Sequence, residues 1–230
     1  MERLFDIIYE DHELLVINKP AGLVCHPTKT DAYSSLISRA RLHLGPGSHP
    51  QLVNRLDRET SGVIVVAKRR PAMVRFTEVF THGGARKQYL TLARGTFPRA
   101  EGRIDLPLSE HQQSAESKAR RGVNMQEAAT RYRVLRQGGE AALLEVTLET
   151  GRTHQIRRHL AAIGHPVAGD RKYGDFGFNR EARARWGLRR LFLHAERLDL
   201  PHPETGARIR LESPLPADLV DVLRRAGIPR

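Results

Sequence analysis

The sequence of 230 residues predicts an α+β fold, in which buried strands pack against several short helices. Residues 62–67 form a small and β-branched apolar run bounded by polar residues, which predicts a strand buried on both faces. Residues 128–136 and 141–150 predict two further strands, and the Gln-Gly-Gly-Glu segment between them predicts a hairpin turn. In residues 71–80 the large apolar side chains recur at spacings of three and four, which predicts a helix.

The first half of the chain adds two strands and one helix to this pattern. Residues 14–17 predict a short strand, which is an edge strand in the simplest interpretation, and Pro20 with Gly22 predicts the turn after it. Residues 34–44 predict a short helix that a Gly-Pro-Gly segment ends. Residues 87–95 alternate between apolar and polar side chains, as in a half-buried strand.

The second half begins with a long polar segment. Residues 96–127 have few large apolar side chains and predict a loop or excursion from the single domain that we expect over residues 1–230. Thr153 is predicted to cap a helix whose apolar face is Ile156, Leu160 and Ile163. Residues 191–195 then predict a buried strand, and residues 217–225 a closing amphipathic helix.

Positive charge dominates the composition. The chain has 38 Lys and Arg against 26 Asp and Glu, a formal net charge of +12. Such a charge favours a polyanionic partner, nucleic acid first, although a solvated basic surface without a partner is the alternative. Residues 171–190 concentrate it and predict the main phosphate-contacting patch, with the basic residues Arg171, Lys172, Arg180, Arg183, Arg185, Arg189 and Arg190.

Composition also argues against several other classes of protein. A single cysteine, Cys25, rules out an internal disulfide and a cysteine-rich zinc site. No His-Glu-x-x-His segment is present, and we expect no metal. The apolar runs are far shorter than the ~20 residues of a membrane-spanning helix, and the first residues do not resemble a secretory signal. We therefore expect a cytoplasmic protein.

One polar loop stands out as a candidate site. Asp57 lies immediately before the predicted central strand, between Arg55 and Arg58. Nearby positive charge favours the ionised form of a carboxyl group, so this loop predicts a fixed anion at the end of a strand. The alternative is that Asp57 is an ordinary turn or cap residue.

Three motifs carry a resemblance to a known family. Residues 55–62, Arg-Leu-Asp-Arg-Glu-Thr-Ser-Gly, resemble the R-L-D-x-x-T-S-G signature of the RluA-type RNA pseudouridine synthases. Residues 87–95 match K-x-Y-L-x-L-x-x-G, and residues 150–157 match T-G-R-x-H-Q-I-R, in the order that the family shows. The resemblance covers residues 6–225, with one departure, because Asn54 stands where the family usually has His.

This resemblance implies a pseudouridine synthase fold, a mixed and mostly antiparallel sheet flanked by helices around a central catalytic cleft, and a reaction without a cofactor. It implies that Asp57 is the essential catalytic residue, that Arg152 forms an ion pair with Asp57, and that Tyr89 stacks on the target base. Whether Asp57 attacks C1′, attacks C6 or removes the 2′ proton stays open. From the residues alone, Tyr89 could equally be a packing residue of its strand.

The resemblance also implies how RNA is bound. Arg55 would fill the space left by the flipped base, and Ile156 would form an apolar wall near that base, although Ile156 could equally be core. Arg58 and Lys172 are further candidates for substrate binding. Residues 18–22, Asn-Lys-Pro-Ala-Gly, resemble the N-K-P-x-G segment that opens the catalytic domain of the family, and only a few residues precede them. We therefore expect RNA binding by the catalytic body, without the N-terminal S4 domain of many relatives, and we expect a monomer.

The substrate is expected to be RNA with an unpaired target uridine. Residues 173–180 and 190–195 look most like the family members that act on 23S ribosomal RNA, which favours this substrate, and tRNA is the alternative. Two other classes of protein remain as rivals. A catalytically silent RNA-binding protein would lack the acid, and a basic DNA-binding protein would have a recognition helix and no pocket.

Overall fold

The computed structural model describes residues 4–27, 34–109, 124–202 and 204–228. Its strands are Asp6–Glu10 (β1), Leu14–Lys19 (β2), Gln51–Leu52 (β3), Ser61–Ala67 (β4), Arg86–Arg94 (β5), Glu101–Asp105 (β6), Leu108–Ser109 (β7), Met125–Gln126 (β8), Ala129–Gly138 (β9), Ala141–Leu148 (β10), Leu193–Pro201 (β11) and Arg208–Glu212 (β12). Its helices are Leu36–Leu44 (α1), Arg70–Thr81 (α2), Gln155–Ala162 (α3), Phe176–Trp186 (α4) and Ala217–Arg225 (α5).

Ten of these strands form one sheet. Eight of them lie in the order β1-β2-β4-β11-β5-β10-β9-β6, while β3 pairs with β4 and β12 pairs with β11. Among the described pairs of this sheet, β4 and β11 are parallel and the others are antiparallel. The predicted α+β fold with a mixed, mostly antiparallel sheet is therefore confirmed.

The central strand β11 comes from late in the sequence. It lies between β4 and β5, and so it joins the strands of the first 67 residues to the rest of the sheet. Gly62 has a φ of +114°, and a Cβ atom there would lie 2.1 Å from the Ala195 carbonyl oxygen. Only glycine therefore fits where β4 begins against β11.

The hydrophobic core lies on both faces of the sheet. All seven residues of β4 are buried, and their side chains alternate between two apolar clusters. Ile64 packs in the cluster that includes Leu36 of α1 and Leu160 of α3, while Val65 packs with Phe76 of α2. A third cluster holds the buried side of α4 and α5 against β5 and β10. Coverage of both faces explains why β4 is apolar throughout.

The helices α1, α2 and α5 lie within two residues of their predicted bounds, whereas α4 was not predicted from the sequence. The Ser35 hydroxyl accepts a hydrogen bond from the Ser38 N–H at the start of α1, and Gly45 ends that helix. Pro71 lies in the first turn of α2, where its missing N–H costs nothing. Asp175 accepts a hydrogen bond from the Phe178 N–H at the start of α4. Within the described residues, no helix is both long and apolar enough to cross a bilayer.

Three sequence predictions need correction. The strand at residues 14–17 is not at the edge, since β2 pairs with both β1 and β4. The strand at residues 87–95 is buried on both faces rather than half-buried, because clusters of the core cover each face of β5. The segment 96–127 is not all loop, since β6 pairs with β9 and β7 pairs with β8. Residues 110–123 of this predicted excursion, including the basic residues Lys118, Arg120 and Arg121, lie outside the described residues.

Candidate active site

A cleft of about 790 Å³ opens where three segments meet. Residues 52–57 line it from the loop before β4, Lys87 and Tyr89 line it from β5, and residues 149–157 line it from the start of α3. The volume lies within the range of pockets that hold a small organic group such as a nucleotide. The sequence motifs at Asp57, Tyr89 and Arg152 therefore converge on one cavity.

Lys19 fixes the loop that carries Asp57. Its side chain is fully buried, and its Nζ donates to the carbonyl oxygens of Pro20, Leu23 and Arg58 at 2.9, 2.8 and 3.0 Å. The Gly22 N–H also donates to the Arg58 carbonyl at 2.8 Å. Burial lowers the pKa of Lys19 to about 8. These bonds tie the Arg58 side of the loop to the end of β2 and to the turn after it.

Asn54 holds the other side of the same loop. Its Oδ1 accepts a hydrogen bond of 2.8 Å from the Val65 N–H in β4. Further along, the Thr60 N–H donates to the backbone carbonyl of Asp57 at 3.1 Å, which closes the turn. The residue that replaces the usual histidine of the signature thus has a structural task in positioning Asp57.

Arg157, not Arg152, pairs with Asp57. Arg157 Nη1 donates to Asp57 Oδ2 at 3.0 Å, from the first turn of α3. Arg152 lies before the helix, is exposed, and donates its Nε to the Glu127 carbonyl at 3.0 Å. The predicted ion pair between Arg152 and Asp57 is therefore wrong, because the first helical turn, and not the segment before it, brings a guanidinium to the loop.

A second carboxylate holds Arg157 from the opposite side. Arg157 Nε and Nη2 donate to the two carboxylate oxygens of Asp170 at 2.7 and 2.9 Å. Burial opposes the charge of each group, but their mutual hydrogen bonds raise the pKa of Arg157 and lower the pKa of Asp170. The N–H groups of Lys172 and Tyr173 also donate to Asp170 Oδ1. Arg157 is thus locked in a bidentate pair with Asp170 and presents one amino group to Asp57.

The start of α3 differs from the prediction. The helix begins at Gln155 after His154, which has a φ of +53°, and Thr153 does not cap it. Instead the Gln155 side-chain oxygen accepts the Arg152 N–H at 2.9 Å and the Thr150 hydroxyl at 2.7 Å. Gln155 therefore organises the turn, and a left-handed conformation is imposed on His154.

His154 faces the loop that carries Asp57. Its Nε2 lies 3.7 Å from Asp57 Oδ1, and its Nδ1 lies 3.1 Å from the Tyr173 hydroxyl. Burial lowers the pKa of His154, against the opposing effect of the Asp57 carboxylate. The imidazole is therefore neutral at pH 7. Sequence reasoning missed this residue and the role of Arg157, although both stand in the T-G-R-x-H-Q-I-R segment.

Tyr89 and Ile156 form the apolar wall of the cleft. Their exposed fractions are 7% and 3%, and both line the cavity beside Leu193. Burial, together with the nearby charge of Asp57, raises the pKa of Tyr89, so its phenol stays protonated at neutral pH. The wall offers a flat ring and an aliphatic side chain to a planar ligand.

The other predicted substrate residues divide into two groups. Arg55 lies exposed at the cleft and lines it. Arg58 and Lys172 do not line it. Arg58 is exposed and donates Nε to the Gly22 carbonyl, and the exposed Lys172 places Nζ 5.6 Å from the centre of the Tyr173 ring.

Within the described part of the chain, one group of side chains has metal-ligating geometry, formed by His12, Glu13 and Glu204. None of the three lines the cleft. The buried Glu13 carboxylate already pairs with the guanidinium groups of Arg69 and Arg75. Two cations at this carboxylate disfavour a metal ion.

Comparison with known proteins gives one consistent family. The model of the RNA pseudouridylate synthase family matches residues 13–162. Ribosomal large subunit pseudouridine synthase C of Escherichia coli K12 is 38% identical over 221 residues, which cover 95% of this chain and 69% of that protein. Ribosomal large subunit pseudouridine synthase D of Nitrosomonas europaea is 38% identical over 224 residues, which cover 95% of this chain and 64% of that protein.

A solved structure agrees with these relatives. Human RNA Pseudouridylate Synthase Domain Containing 4 superposes with a TM-score of 0.78 at 31% identity, and the match covers 98% of this chain and 95% of that one. The residues matched by the family model include Asp57, Tyr89 and Arg157.

Proposed function

The chain belongs to the RNA pseudouridine synthase family, and on this premise we propose that it isomerises specific uridines of large-subunit ribosomal RNA with Asp57 as the catalytic residue. The observation that carries the proposal is the Asp57 carboxylate, held by Arg157 at 3.0 Å inside a cleft of about 790 Å³. The relatives named ribosomal large subunit pseudouridine synthases support ribosomal RNA as the substrate.

The reaction breaks the bond between uracil N1 and ribose C1′, turns the base and forms a bond from C5 to C1′, after which C5 loses its proton and N1 gains one. No atom is added and no electron leaves, so the reaction needs no cofactor. Asp57 acts on the nucleotide as nucleophile or general base. Arg157 orients the Asp57 carboxylate through a hydrogen bond, and Asp170 orients Arg157 in turn. The carboxylate therefore meets the substrate already aimed.

Recognition of the base rests on the buried wall. A uracil ring drawn out of its stack packs against Tyr89 and Ile156, while Arg55 at the cleft mouth occupies the space that the base leaves in the RNA. An aromatic ring stacks on any base face, which suits a pocket that must let the base turn. Because its phenol keeps its proton, Tyr89 acts first as a stacking surface and hydrogen-bond donor.

The surface around α4 supplies phosphate contacts. Of its basic residues, two have carboxylate partners, since Arg185 pairs with Glu140 and Arg190 with Asp218. Among the described residues no ion pair satisfies the exposed side chains of Arg171, Lys172, Arg180, Arg183 and Arg189. Unpaired cations on one surface release counterions from RNA at little cost to the fold. We also propose that residues 1–230 act as one domain, which the continuous ten-stranded sheet supports.

The test is a comparison of pseudouridine positions in total RNA from cells with and without the gene. We expect at least one ribosomal uridine to be modified only when the gene is present, and tRNA positions to be unchanged. Complementation with Asp57→Ala should leave that position unmodified while the purified variant still binds RNA, because the basic surface is intact. Asp221→Ala, which removes an exposed carboxylate on α5, is the control and should restore the modification.

Three outcomes would contradict the proposal. If a pseudouridine in tRNA is lost when the gene is removed, the substrate is tRNA rather than ribosomal RNA. Full modification by Asp57→Ala would show that the reaction does not depend on this carboxylate. No difference at any position would show that the protein modifies no uridine in these cells.

A further inference from the structure

We propose that Lys87 forms a binding site for one backbone phosphate next to the target uridine, an inference that rests on the proposed function. The site would lie inside the catalytic cleft, not on the outer basic surface. It would take a phosphodiester, an anion that RNA supplies at every nucleotide.

The first argument is position. Lys87 and Tyr89 are both on β5, and residues two apart in a strand point to the same face. Both side chains line the cleft. Their Cα atoms are about 7 Å apart along the strand. A nucleotide whose base stacks on Tyr89 thus has its own backbone within reach of Lys87.

The second argument is charge. Lys87 is partly buried, and no carboxylate or other hydrogen-bond partner among the described residues satisfies its Nζ. The nearest ring, Phe80, has its centre 5.8 Å from Nζ. Burial alone lowers the pKa of Lys87, since no neighbouring anion opposes it. A desolvated cation without a counter-charge is costly, and an anion from outside would remove that cost.

The other two described lysines that are at least partly buried, Lys19 and Lys68, both have partners. Lys19 donates to three carbonyl oxygens, and Lys68 pairs with the Glu10 carboxylate at 2.7 Å. The carboxylates that line the same cleft are already engaged, Asp57 with Arg157 and Glu149 with Arg131. The missing anion must therefore come from the ligand.

The third argument is space. A Cβ atom at Gly151 would lie 3.6 Å from Lys87 Nζ. Because glycine stands there, the volume beside the ammonium group stays open at the cleft. A tetrahedral phosphate needs such an opening, and the exposed Arg152 follows Gly151 directly. The ammonium group and the open position together favour a phosphate over a neutral base carbonyl.

The experiment is a double-mutant cycle between the lysine and single phosphates. The probe is an RNA oligonucleotide that contains the mapped uridine, with one neutral methylphosphonate at each flanking position in turn. Binding is measured for the full chain carrying Asp57→Ala, with and without Lys87→Met. We expect Lys87→Met to weaken binding of the unmodified RNA by about tenfold. At one position the methylphosphonate should weaken RNA binding by the protein that keeps Lys87 by the same factor of about ten. At that position it should leave binding by the Lys87→Met protein almost unchanged.

Controls separate this from a general loss of charge or fold. Lys68→Met removes a paired lysine outside the cleft. Any loss of RNA affinity that it causes should add to the loss caused by each methylphosphonate. Lys87→Arg keeps the charge and should retain sensitivity at the same position. If Lys87→Met unfolds, Lys87→Gln replaces it in the cycle.

Additive losses at every flanking position, with a wild-type protein that modifies the uridine, would overturn the Lys87 site and leave the proposed function intact. A wild-type protein that modifies no uridine would overturn the proposed function and this inference with it.

Discussion

Two parts of the cleft differ in how their charges are paired. We call them the floor, built around Asp57 and Arg157, and the rim, which carries Arg55, Lys87 and Arg152. At the floor, each charge is satisfied within the protein, since Asp57 and Asp170 share Arg157, and Lys19 has three carbonyl partners. At the rim, Arg55, Lys87 and Arg152 have no carboxylate partner among the described residues. The difference indicates that the floor is organised before the substrate arrives, whereas the rim is completed by it.

This contrast makes different demands on substitutions. A floor residue that is removed leaves a buried partner unsatisfied, so both stability and reaction rate fall. A rim residue that is removed leaves nothing unsatisfied inside the protein, so only the affinity for RNA falls. Three substitutions test the contrast, and a matched pair on α4 extends it to the outer basic surface.

Arg157→Met should have the largest effect. It leaves the carboxylates of Asp57 and Asp170 without their shared cation, and the free energy of unfolding should fall by about 3 kcal/mol. The rate of pseudouridine formation at saturating RNA should fall at least about a hundredfold, because Asp57 is no longer aimed. Urea unfolding and single-turnover kinetics measure the two losses. Arg157→Lys keeps the charge but cannot bridge both carboxylates, and it should recover only part of the rate.

Lys19→Met should have the next largest effect, on stability and on its dependence on pH. The free energy of unfolding should fall by about 2 kcal/mol at pH 7.5, since three carbonyl oxygens lose their donor. The rate should fall about tenfold as the Asp57 loop loosens.

The pH dependence of Lys19 has a definite sign. Its pKa in the folded state is about 8, below the ordinary value of 10.5, so between these values the unfolded chain binds more protons. The stability of the wild type relative to Lys19→Met should therefore rise by about 2 kcal/mol from pH 7.5 to 9.5. A difference that stays constant over this range would show that burial does not lower the pKa of Lys19 in the folded state.

Arg152→Met should affect RNA binding alone. The side chain is exposed, so the free energy of unfolding should change by less than about 0.5 kcal/mol. The slope of log affinity against log salt should decrease by about 0.7 if one phosphate contact is lost. The rate at saturating RNA should stay at the wild-type value. A loss of rate like that of Arg157→Met would instead show that Arg152 takes part in the reaction.

A pair of arginines on α4 offers the smallest and most closely matched test. Arg183 has no ion pair among the described residues, whereas Arg185 pairs with Glu140 at 2.9 Å. We expect Arg183→Met to reduce the salt dependence of RNA binding and Arg185→Met to change it less, because Arg185 is already neutralised. Equal effects would mean that pairing within the protein does not decide which cations contact RNA.

The elements that were predicted correctly from the sequence are those whose apolar residues mark the buried face. The strand β4, the β9–β10 hairpin and the helices α1, α2 and α5 lie close to their predicted positions. The missed strands β6 and β12 each have one buried residue and read Glu-Gly-Arg-Ile-Asp and Arg-Ile-Arg-Leu-Glu. In β12 the apolar Ile209 and Leu211 alternate with charged residues, but over five residues only, which makes the pattern weak. In β6 a single large apolar residue gives no pattern, and the strand owes its conformation to backbone pairing with β9.

At the site, local reasoning found the residues but not all of their partners. Asp57 and Tyr89 line the cleft as the motifs predict. The choice between Arg152 and Arg157 depended on where α3 begins, and Gln155 sets that point through hydrogen bonds to residues 150 and 152. Such a turn includes a non-glycine residue with positive φ, which no residue pattern announces.

The position of β11 in the middle of the sheet affects how the enzyme folds during its synthesis. Asp57 belongs to the strands on one side of β11, and Tyr89 to those on the other. A chain emerging from the ribosome therefore cannot close its sheet until residues near 195 have left the exit tunnel, and pairing over such sequence distances is slow. We expect the nascent protein to be inactive toward RNA until synthesis has passed this strand.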